Sequence, residues 1–366
     1  MTYREFLNRK NKTPPPVALA PMAGYTDAAM RKVCSERGAA WSYTEMTNGY
    51  GLLREEEKTW HLLETFEDER EVVAHLYGNH PDVMGEATAK VAETGRFVGI
   101  DLNAGCPVHK VMGSGAGAAL IKTPELFHDI LAAMVKATQL PVTVKTRLGP
   151  APDKIAAFEL LAAAESAGAK AITIHGRFTS QRHSGAVHHD LLAEVKQRAR
   201  IPVIINGGIY SPNTAWDAWQ ATGCDGIMVA RAAIGNPWIF SVINQGLSGD
   251  SAPVQEAPPG QGRSRRGLDL IRAGIMEHLA LERELIVRIR DKYQLPESHA
   301  TPDEALAAAF RLHMFRYLHG LQGSGHLRRH LMDIQSESDI ITAVTACLDN
   351  EAEFRRNHPA FVTQDS

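Results

Sequence analysis

Residues 141–176, PVTVKTRLGPAPDKIAAFELLAAAESAGAKAITIHG, contain the pattern that decides the fold. A β-rich run at 141–148 precedes a helical stretch at 153–168, and a second β-rich run follows at 171–176. A glycine stands at the predicted helix end just before the second run, where helices commonly terminate. Apolar runs that alternate with helices indicate strands buried on both faces of a parallel sheet.

The same strand and helix unit recurs throughout the first 240 or so residues. The β-rich runs are VALAPM (17–22), AWSYTEM (40–46), VVAHLY (72–77), GIDLNA (99–104), PVTVKTRL (141–148), AITIHG (171–176), PVIINGG (202–208) and GIMVAR (226–231). Eight such units in about 240 residues fit a (β/α)8 TIM barrel better than an open sheet.

The remainder of the chain has a different character. Residues 247–266 are rich in Pro, Gly, Ser and Gln and lack periodicity, which indicates a linker. The segments after it are helical, at 267–290, 302–319, 326–335 and 336–349. We therefore predict a barrel domain over 1–246, a linker over 247–266, and a small all-helical C-terminal domain over 267–366.

Composition narrows the class of protein. Of 366 residues, 44% are hydrophobic and 22% are charged, as in ordinary globular proteins. The N-terminus has no apolar signal core and no run is long enough for a membrane span, so we expect a cytoplasmic location and no membrane partner. The four cysteines are widely spaced and the sixteen histidines show no metal spacing, which predicts free thiols and no metal.

Polar side chains follow almost every predicted strand. Active sites of such barrels are built at the C-terminal strand ends, so these side chains should surround one mouth. A packing role explains any one of them but explains the whole set poorly. The residues at these strand ends are Pro21 and Met22, Glu45, His75, Asn103 and Cys106, Lys145 and Arg147, His175 and Arg177, Asn206, and Arg231.

Two of these ends predict an anion site. NGGIYSPNTA (206–215) puts Gly207 and Gly208 ahead of a helix, and ARAAIGNP (230–237) adds Arg231 after the last strand. Barrel phosphate sites are often built from the loops after strands seven and eight. A Gly-Gly turn alone is commonly just a tight turn, but its pairing with the adjacent loop favours phosphate binding.

Cys106 stands in a glycine-rich loop, DLNAGCPVHKVMGSGAG (101–117), at the proposed mouth. A cysteine chosen at random is usually a small buried hydrophobe. Because Cys106 follows a strand end and precedes Pro107, we interpret it instead as a proton donor to a bound substrate. The other three cysteines keep the packing interpretation.

The motifs LAPMAGYTD, NAGCP, VKTRLG, TIHGR, NGGI and ARAAIGNPWIF, with RLHMFRYLHGLQGSGHLRR (311–329), resemble the tRNA-dihydrouridine synthases. The resemblance runs from about residue 17 to 340, and the Asn-X-Gly-Cys-Pro motif is specific to that family. It implies a flavoenzyme that uses FMN, with NADPH or NADH as reductant, to reduce uridine to dihydrouridine in RNA.

The resemblance also implies residue roles. Hydride would go from FMN to C6 of uracil and Cys106 would protonate C5. Asn103 would hold the uracil, and the base would leave the RNA stack to reach the flavin. The residues that the resemblance assigns to FMN are Pro21, Met22, Ala23, His75, Lys145, His175, Asn206, Gly207, Gly208, Ala230 and Arg231. The chain departs from the family pattern at His75, Thr179 and Ala230, where Gln, Arg and Gly are usual.

A basic segment, defined as residues 305–332, contains four arginines and no carboxylate. In a protein of net charge −3, this favours a surface that follows phosphates over an ordinary solvated face. The predicted RNA contacts are Lys110, Arg177, Arg311, Arg316, Arg328 and Arg329.

Two other functions stay open at this point. An FMN barrel acting on a free pyrimidine, of the dihydroorotate dehydrogenase type, would share the flavin site but gives the basic segment no role. An RNA-binding protein that lost catalysis fits poorly with the intact Asn103, Cys106, Lys145 and His175. Transfer RNA is the expected partner, with ribosomal RNA as an alternative, and we expect a monomer.

Overall fold

The computed structural model describes residues 1–8, 14–249, 267–295 and 300–358. Its strands are all parallel and form one closed barrel, because β2 pairs with both β1 and β4. The predicted (β/α)8 barrel is therefore confirmed. The strands are β1 Val17–Leu19, β2 Ser42–Tyr43, β3 Thr47–Asn48, β4 Val72–Tyr77, β5 Gly99–Asn103, β6 Val142–Arg147, β7 Ile172–His175, β8 Val203–Asn206 and β9 Gly226–Val229.

The second β-rich run differs from the predicted single strand, because it is interrupted between β2 and β3. The backbone N–H of Thr44 still takes part in the ladder. His75 N, however, donates to the Thr44 hydroxyl at 2.9 Å instead of to the Thr44 carbonyl. The same hydroxyl donates to the Glu45 carbonyl at 3.0 Å. This side-chain substitution ends the regular pairing, and Glu45 then faces the turn that follows β1 and contacts Gly24.

Helices surround the barrel. The helical stretch predicted at 153–168 forms a helix over Ala157–Ala167. The helices of this part of the chain are α1 Tyr3–Leu7, α2 Ala28–Ser35, α3 Gly49–Leu53, α4 Glu57–His61, α5 Pro81–Glu93, α6 His109–Gly113, α7 Pro124–Lys136, α8 Ala157–Ala167, α9 His189–Arg198, α10 Pro212–Thr222 and α11 Ile239–Ser248.

Helix α1 closes the bottom of the barrel, a role the sequence pattern did not indicate. Tyr3 and Phe6 are buried, and the Phe6 ring stacks on Trp41 at a centroid distance of 4.7 Å. A capping box between Thr2 and Glu5 starts this short helix. Helix α1 therefore shields the polar groups at the other end of the barrel from solvent on this side.

The C-terminal region is helical, as predicted, with helices α12 Leu268–Tyr293, α13 Pro302–Leu318, α14 Ser324–Arg329 and α15 Glu337–Asn357. It has a hydrophobic core of its own. The predicted helix at 326–335 is shorter, because α14 ends at Arg329 and a 3-10 turn follows at Leu331–Asp333. Of the predicted linker, residues 247 and 248 belong to α11, and 250–266 lie outside the described residues.

Charged pairs join the helical region to the barrel. Arg37 at the end of α2 forms a two-pronged ion pair with Glu277 of α12. Lys292 forms an ion pair with the buried carboxylate of Glu64, which also accepts from Tyr293 Oη at 2.8 Å. Among the described helices, none combines the length and apolar character that crossing a membrane requires.

Candidate active site

The strand register brings the predicted polar residues to one end of the barrel. Asn103 on β5 is opposite Lys145 on β6, and Arg147 is opposite His175 on β7. His175 is in turn opposite Asn206 on β8. Paired positions of a parallel sheet share a face, and alternate positions along a strand do too. These five side chains therefore point into the same mouth.

Asn103 shapes the loop that carries Cys106. Its Oδ1 accepts hydrogen bonds from the backbone N–H groups of Gly105 and Cys106, at 3.1 and 3.0 Å. Arg147 Nε donates to the Gly105 carbonyl at 2.8 Å from the other side. The Cys106 side chain is partly exposed. The sequence assigned Asn103 to the substrate, and this loop-forming role of its amide oxygen was not predicted.

Gly117 holds the far side of that loop. Its φ of +60° is unfavourable for residues with a side chain, and an added Cβ would lie 2.9 Å from the Cys106 carbonyl oxygen. The loop can therefore fold back on itself only with glycine at this position.

A cluster of cations lies beside the loop. Burial, with the nearby Arg147 guanidinium, lowers the pKa of Lys145 to about 8. The pKa of Arg147 is lowered to about 10, chiefly by burial and also by Arg177. Burial and then Arg231 lower the pKa of Arg177 as well. Groups of one sign that depress each other in this way form a site ready for an anion.

Two histidines complete the cluster. Burial, followed by Lys145, Arg147 and Arg177, holds the pKa of His175 far below its ordinary value. The ring of His183 lies 5.9 Å from that of His175, and burial with the surrounding cations lowers its pKa to about 4. Both imidazoles are therefore neutral near pH 7 and add hydrogen-bonding atoms without adding charge.

The glycines after β8 allow the close approach that this cluster needs. Gly207 has φ of +105°, and an added Cβ would lie 2.6 Å from the His175 ring. Asn206 points inward and donates to the Met228 carbonyl at 2.8 Å, a cross-strand contact. Ala230 is partly buried, and the exposed Arg231 donates from Nη2 to the His183 carbonyl at 3.3 Å.

A buried chain of hydrogen bonds lies below the mouth. His75 Nδ1 is 2.8 Å from Asp101 Oδ2, and Thr143 Oγ1 donates to Asp101 Oδ1 at 2.6 Å. Tyr3 Oη of α1 donates to Thr143 Oγ1 at 3.1 Å. Pairing Nδ1 with Asp101 fixes the His75 ring and leaves its Nε2 for another partner.

The segment Pro21–Ala23 forms a turn at the rim after β1. Met22 N donates to Thr26 Oγ1 at 2.9 Å, and the carbonyl of Met22 accepts from Tyr25 and Thr26. The next residue, Gly24, donates its N–H to the carboxylate of Glu45. Burial raises the pKa of Glu45 to about 7, with Asp27 contributing in the same direction.

The predicted RNA contacts form a separate set. Lys110 is exposed on α6, Arg316 is exposed on α13, and Arg328 and Arg329 are exposed on α14, whereas Arg311 is partly buried. Arg177 is buried and belongs to the cation cluster, and its contact with RNA stays a prediction. A Cβ on Gly235, in the loop after β9, would lie 2.3 Å from the Arg316 carbonyl carbon, so α13 packs against the rim.

Some features of this site have only weak signals in the sequence. Arg147 stands two residues after Lys145. The sequence pattern places it at a strand end but does not indicate its role. Asp101 is two residues before Asn103, and alternate residues of a strand share a face. This spacing is the sequence feature that could have indicated Asp101. His183 lies in an irregular loop and has no pattern that could have identified it.

A closed parallel barrel whose mouth holds a cysteine loop beside a cluster of cationic side chains is typical of enzymes of the (β/α)8 class. The family model described as dihydrouridine synthase matches residues 18–353 of this chain. The chain therefore belongs to the dihydrouridine synthase family, and the predicted enzyme class is confirmed.

Named relatives agree with the family match. The chain is 33% identical over 336 residues to a probable tRNA-dihydrouridine synthase of Mycobacterium tuberculosis, covering 89% of this chain and 80% of that one. It is 35% identical over 264 residues to tRNA-dihydrouridine synthase B of Pseudomonas aeruginosa, covering 72% and 76%. It is 37% identical over 241 residues to the enzyme of that name from Pseudomonas syringae, covering 65% and 71%.

Proposed function

We propose that this enzyme reduces uridine to dihydrouridine in tRNA, with FMN as cofactor and NADPH or NADH as reductant. The observation that carries the proposal is the cation cluster of Lys145, Arg147, Arg177 and Arg231, which shares the barrel mouth with the Cys106 loop. Family membership and the names of the relatives support the RNA substrate.

The residues at the mouth fit the phosphate end of FMN. The Gly207 position leaves no room for a side chain beside His175, and the backbone there can approach a ligand closely. Arg177 and Arg231 supply positive charge, and guanidinium groups bind phosphate oxygens well. The groups that would hold this end are Asn206, Gly207, Gly208, Ala230 and Arg231.

The deeper residues fit the flavin ring. Lys145 would place its ammonium group at the N1 and O2 side, where a cation stabilises negative charge. His175, held neutral, would offer its Nδ1–H beside that charge. His75 would place its Nε2 beside the ring, with Asp101 holding Nδ1. Pro21, Met22 and Ala23 would lie under the ring.

The hydride for C6 of the uracil would come from FMN that the nicotinamide has reduced. The chain supplies the proton. Negative charge that develops at C5 requires a donor within hydrogen-bond reach, and Cys106 is partly exposed at the mouth. Asn103 orients this donor by holding the backbone of Gly105 and Cys106. Its Nδ2, whose one hydrogen-bond contact within the described residues is Met46 Sδ at 3.4 Å, would be available to the uracil.

RNA would bind across the rim and the helical region. Arg316, Arg328 and Arg329 are exposed, and the structure shows no ion pair for them among the described residues. Phosphate contacts of this kind position a nucleic acid without reading its sequence. The target uridine would leave the stack to enter the mouth. We propose residues 1–246 as the catalytic domain and 267–366 as the RNA-binding domain.

The test combines spectroscopy and RNA mapping. The purified protein should be yellow, with flavin released on denaturation and identified as FMN. A strain lacking the protein should lose dihydrouridine at one or more tRNA positions, and expression of the parent, but not of Cys106→Ala, should restore it. Loss in ribosomal RNA instead would reassign the substrate. Turnover of free pyrimidines with no RNA change would favour the dehydrogenase alternative.

A further inference from the structure

A cluster of ionisable side chains, of which three are buried and Asp27 is partly exposed, lies where the barrel meets the helical region. Asp27 caps the N-terminus of α2, His278 and Glu282 lie one turn apart on α12, and His313 lies on α13. His278, Glu282 and His313 are each 3% exposed or less. One ligand atom from each of Asp27, His278 and Glu282 lies within 4.8 Å of the others.

The cluster contains polar atoms that nothing else satisfies. Within the described parts of the chain, His278 Nε2, Glu282 Oε2 and both ring nitrogens of His313 are buried without a hydrogen-bond partner. Buried polar atoms are almost always paired, and each exception requires an explanation. The atoms also converge, since His313 Nε2 is 4.0 Å from Asp27 Oδ2 and the two imidazole centroids are 4.6 Å apart.

The orientation of His278 is fixed from outside the cluster. Its Nδ1 lies 3.2 Å from Tyr317 Oη, so the opposite nitrogen, Nε2, is the one directed at the carboxylates. Metal-binding histidines are usually held this way, with the second ring nitrogen hydrogen-bonded to a neighbouring group that sets the tautomer and the ring angle.

We propose that Asp27, His278 and Glu282 bind a divalent metal ion of the Zn²⁺ class, with His313 next to the fourth coordination position. Two carboxylates and an imidazole form a mixed oxygen and nitrogen set that suits Zn²⁺. Ligand atoms on a tetrahedral zinc lie roughly 3.4 Å apart, so side-chain shifts of about 1 Å would close the observed site.

A proton shared between the carboxyl groups of Asp27 and Glu282 is the competing explanation. It accounts for two like charges in one buried place. It leaves His278 Nε2 and both ring nitrogens of His313 without partners, whereas a cation accounts for the carboxylates and for His278 Nε2 together, with His313 beside its remaining position.

The position of the site gives it a structural consequence. Asp27 follows the Pro21–Ala23 turn at the rim, and the other ligands belong to the helical region. A bound ion would therefore tie the barrel mouth to α12 by strong local bonds, beside His313 of α13. The ion-pair contacts of Arg37 and Lys292 elsewhere on this interface do not involve the rim.

The experiment uses the untagged full-length protein. Elemental analysis should find close to one zinc per chain, and chelator treatment followed by calorimetric titration with Zn²⁺ should find one tight site. The melting temperature should rise by a few degrees when that site fills. Glu282→Gln keeps the size of the side chain and lets an amide donate to Asp27, so the metal-free protein should remain folded while zinc affinity falls at least about 100-fold, more than the loss typical of an outer-shell change.

Two further variants sharpen the test. Tyr317→Phe removes the group that orients His278 without removing a ligand, and should weaken zinc binding about 10- to 100-fold. His330→Gln is the control, because His330 and Asp333 form an exposed pair at 2.9 Å that would bind zinc adventitiously, and its loss should leave the tight site unchanged. A parent protein without a one-to-one site, or equal zinc affinity in the parent and Tyr317→Phe, would overturn the proposal and leave the shared proton as the explanation.

Discussion

Arg177 Nη1 lies 3.2 Å from His175 Nε2, and this contact fixes the state of the imidazole. A guanidinium can only donate, so Nε2 must accept and the ring proton must be on Nδ1. Burial and the adjacent cations lower the pKa of His175 in the same sense. Among the basic groups of this mouth, Lys145 is therefore the one whose pKa lies nearest to neutral pH.

Affinity for FMN should fall as the pH rises through about 8. Burial lowers the pKa of Lys145 to about 8, and the anionic ligand prefers the protonated form. Affinity should be constant near pH 7 and should weaken by up to about tenfold per pH unit above that pKa. Fluorescence titration of the flavin-free protein from pH 7 to 9.5 measures this. Lys145→Arg remains charged and should show no inflection; an identical inflection there would assign it to another group.

Arg231→Ala should release flavin. A hydrogen bond to a charged group contributes about 1.5–3 kcal/mol, so the dissociation constant for FMN should rise roughly 10- to 150-fold. The control is Arg198→Ala, on the outer surface, where Arg198 pairs with Glu194 at 3.4 Å. Full flavin retention in Arg231→Ala would place the phosphate elsewhere.

Gly207→Ala should damage the site more than its backbone strain alone predicts. Gly223 also has a positive φ, at +61°, but an added Cβ there would meet nothing within 4 Å. Gly223→Ala therefore measures strain, about 1 kcal/mol in the free energy of unfolding. Gly207→Ala adds a contact of 2.6 Å with His175, so both thermal stability and FMN affinity should fall further. Equal effects of the two substitutions would mean that His175 moves aside freely.

The barrel could be predicted from sequence because buried parallel strands are continuous apolar runs, and β4 and β5 match their runs closely. Helix α1 could not be predicted, since Tyr3 and Phe6 become buried at the bottom of the barrel only once the strands close around them. The phosphate loops were predicted from glycines and Arg231, whose spacing is local. His183 and the Asp27 cluster depend on contacts between distant segments, which the sequence does not reveal. The prediction of no metal rests on linear spacing alone and stays a prediction.

Cys106→Ala should separate the two halves of the reaction. Reduction of the flavin by NADPH does not need the thiol and should continue at the parent rate. Reduction of uridine in RNA should slow by about 100-fold or more, the usual effect of removing a general acid. Single-turnover measurements of flavin reduction and reoxidation report each half. Cys106→Ser, which keeps a weaker donor, should fall between, and unchanged turnover in Cys106→Ala would mean that the cysteine only packs.

The basic segment should supply RNA affinity and no chemistry. Arg328 and Arg329 are exposed on α14, without ion pairs in the described structure, so their charges are available to phosphates. Changing both to Ala should weaken tRNA binding and lower the slope of log affinity against log salt by roughly 1 per lost contact. NADPH oxidation by the flavin, which needs no RNA, should be unaffected. The matched control, Arg198→Ala with Arg200→Ala, removes equal charge from residues paired with Glu194 and Glu165 on the barrel exterior. If both double variants lose affinity equally, the effect is one of net charge, and the RNA surface would have to be sought at the rim near Lys110.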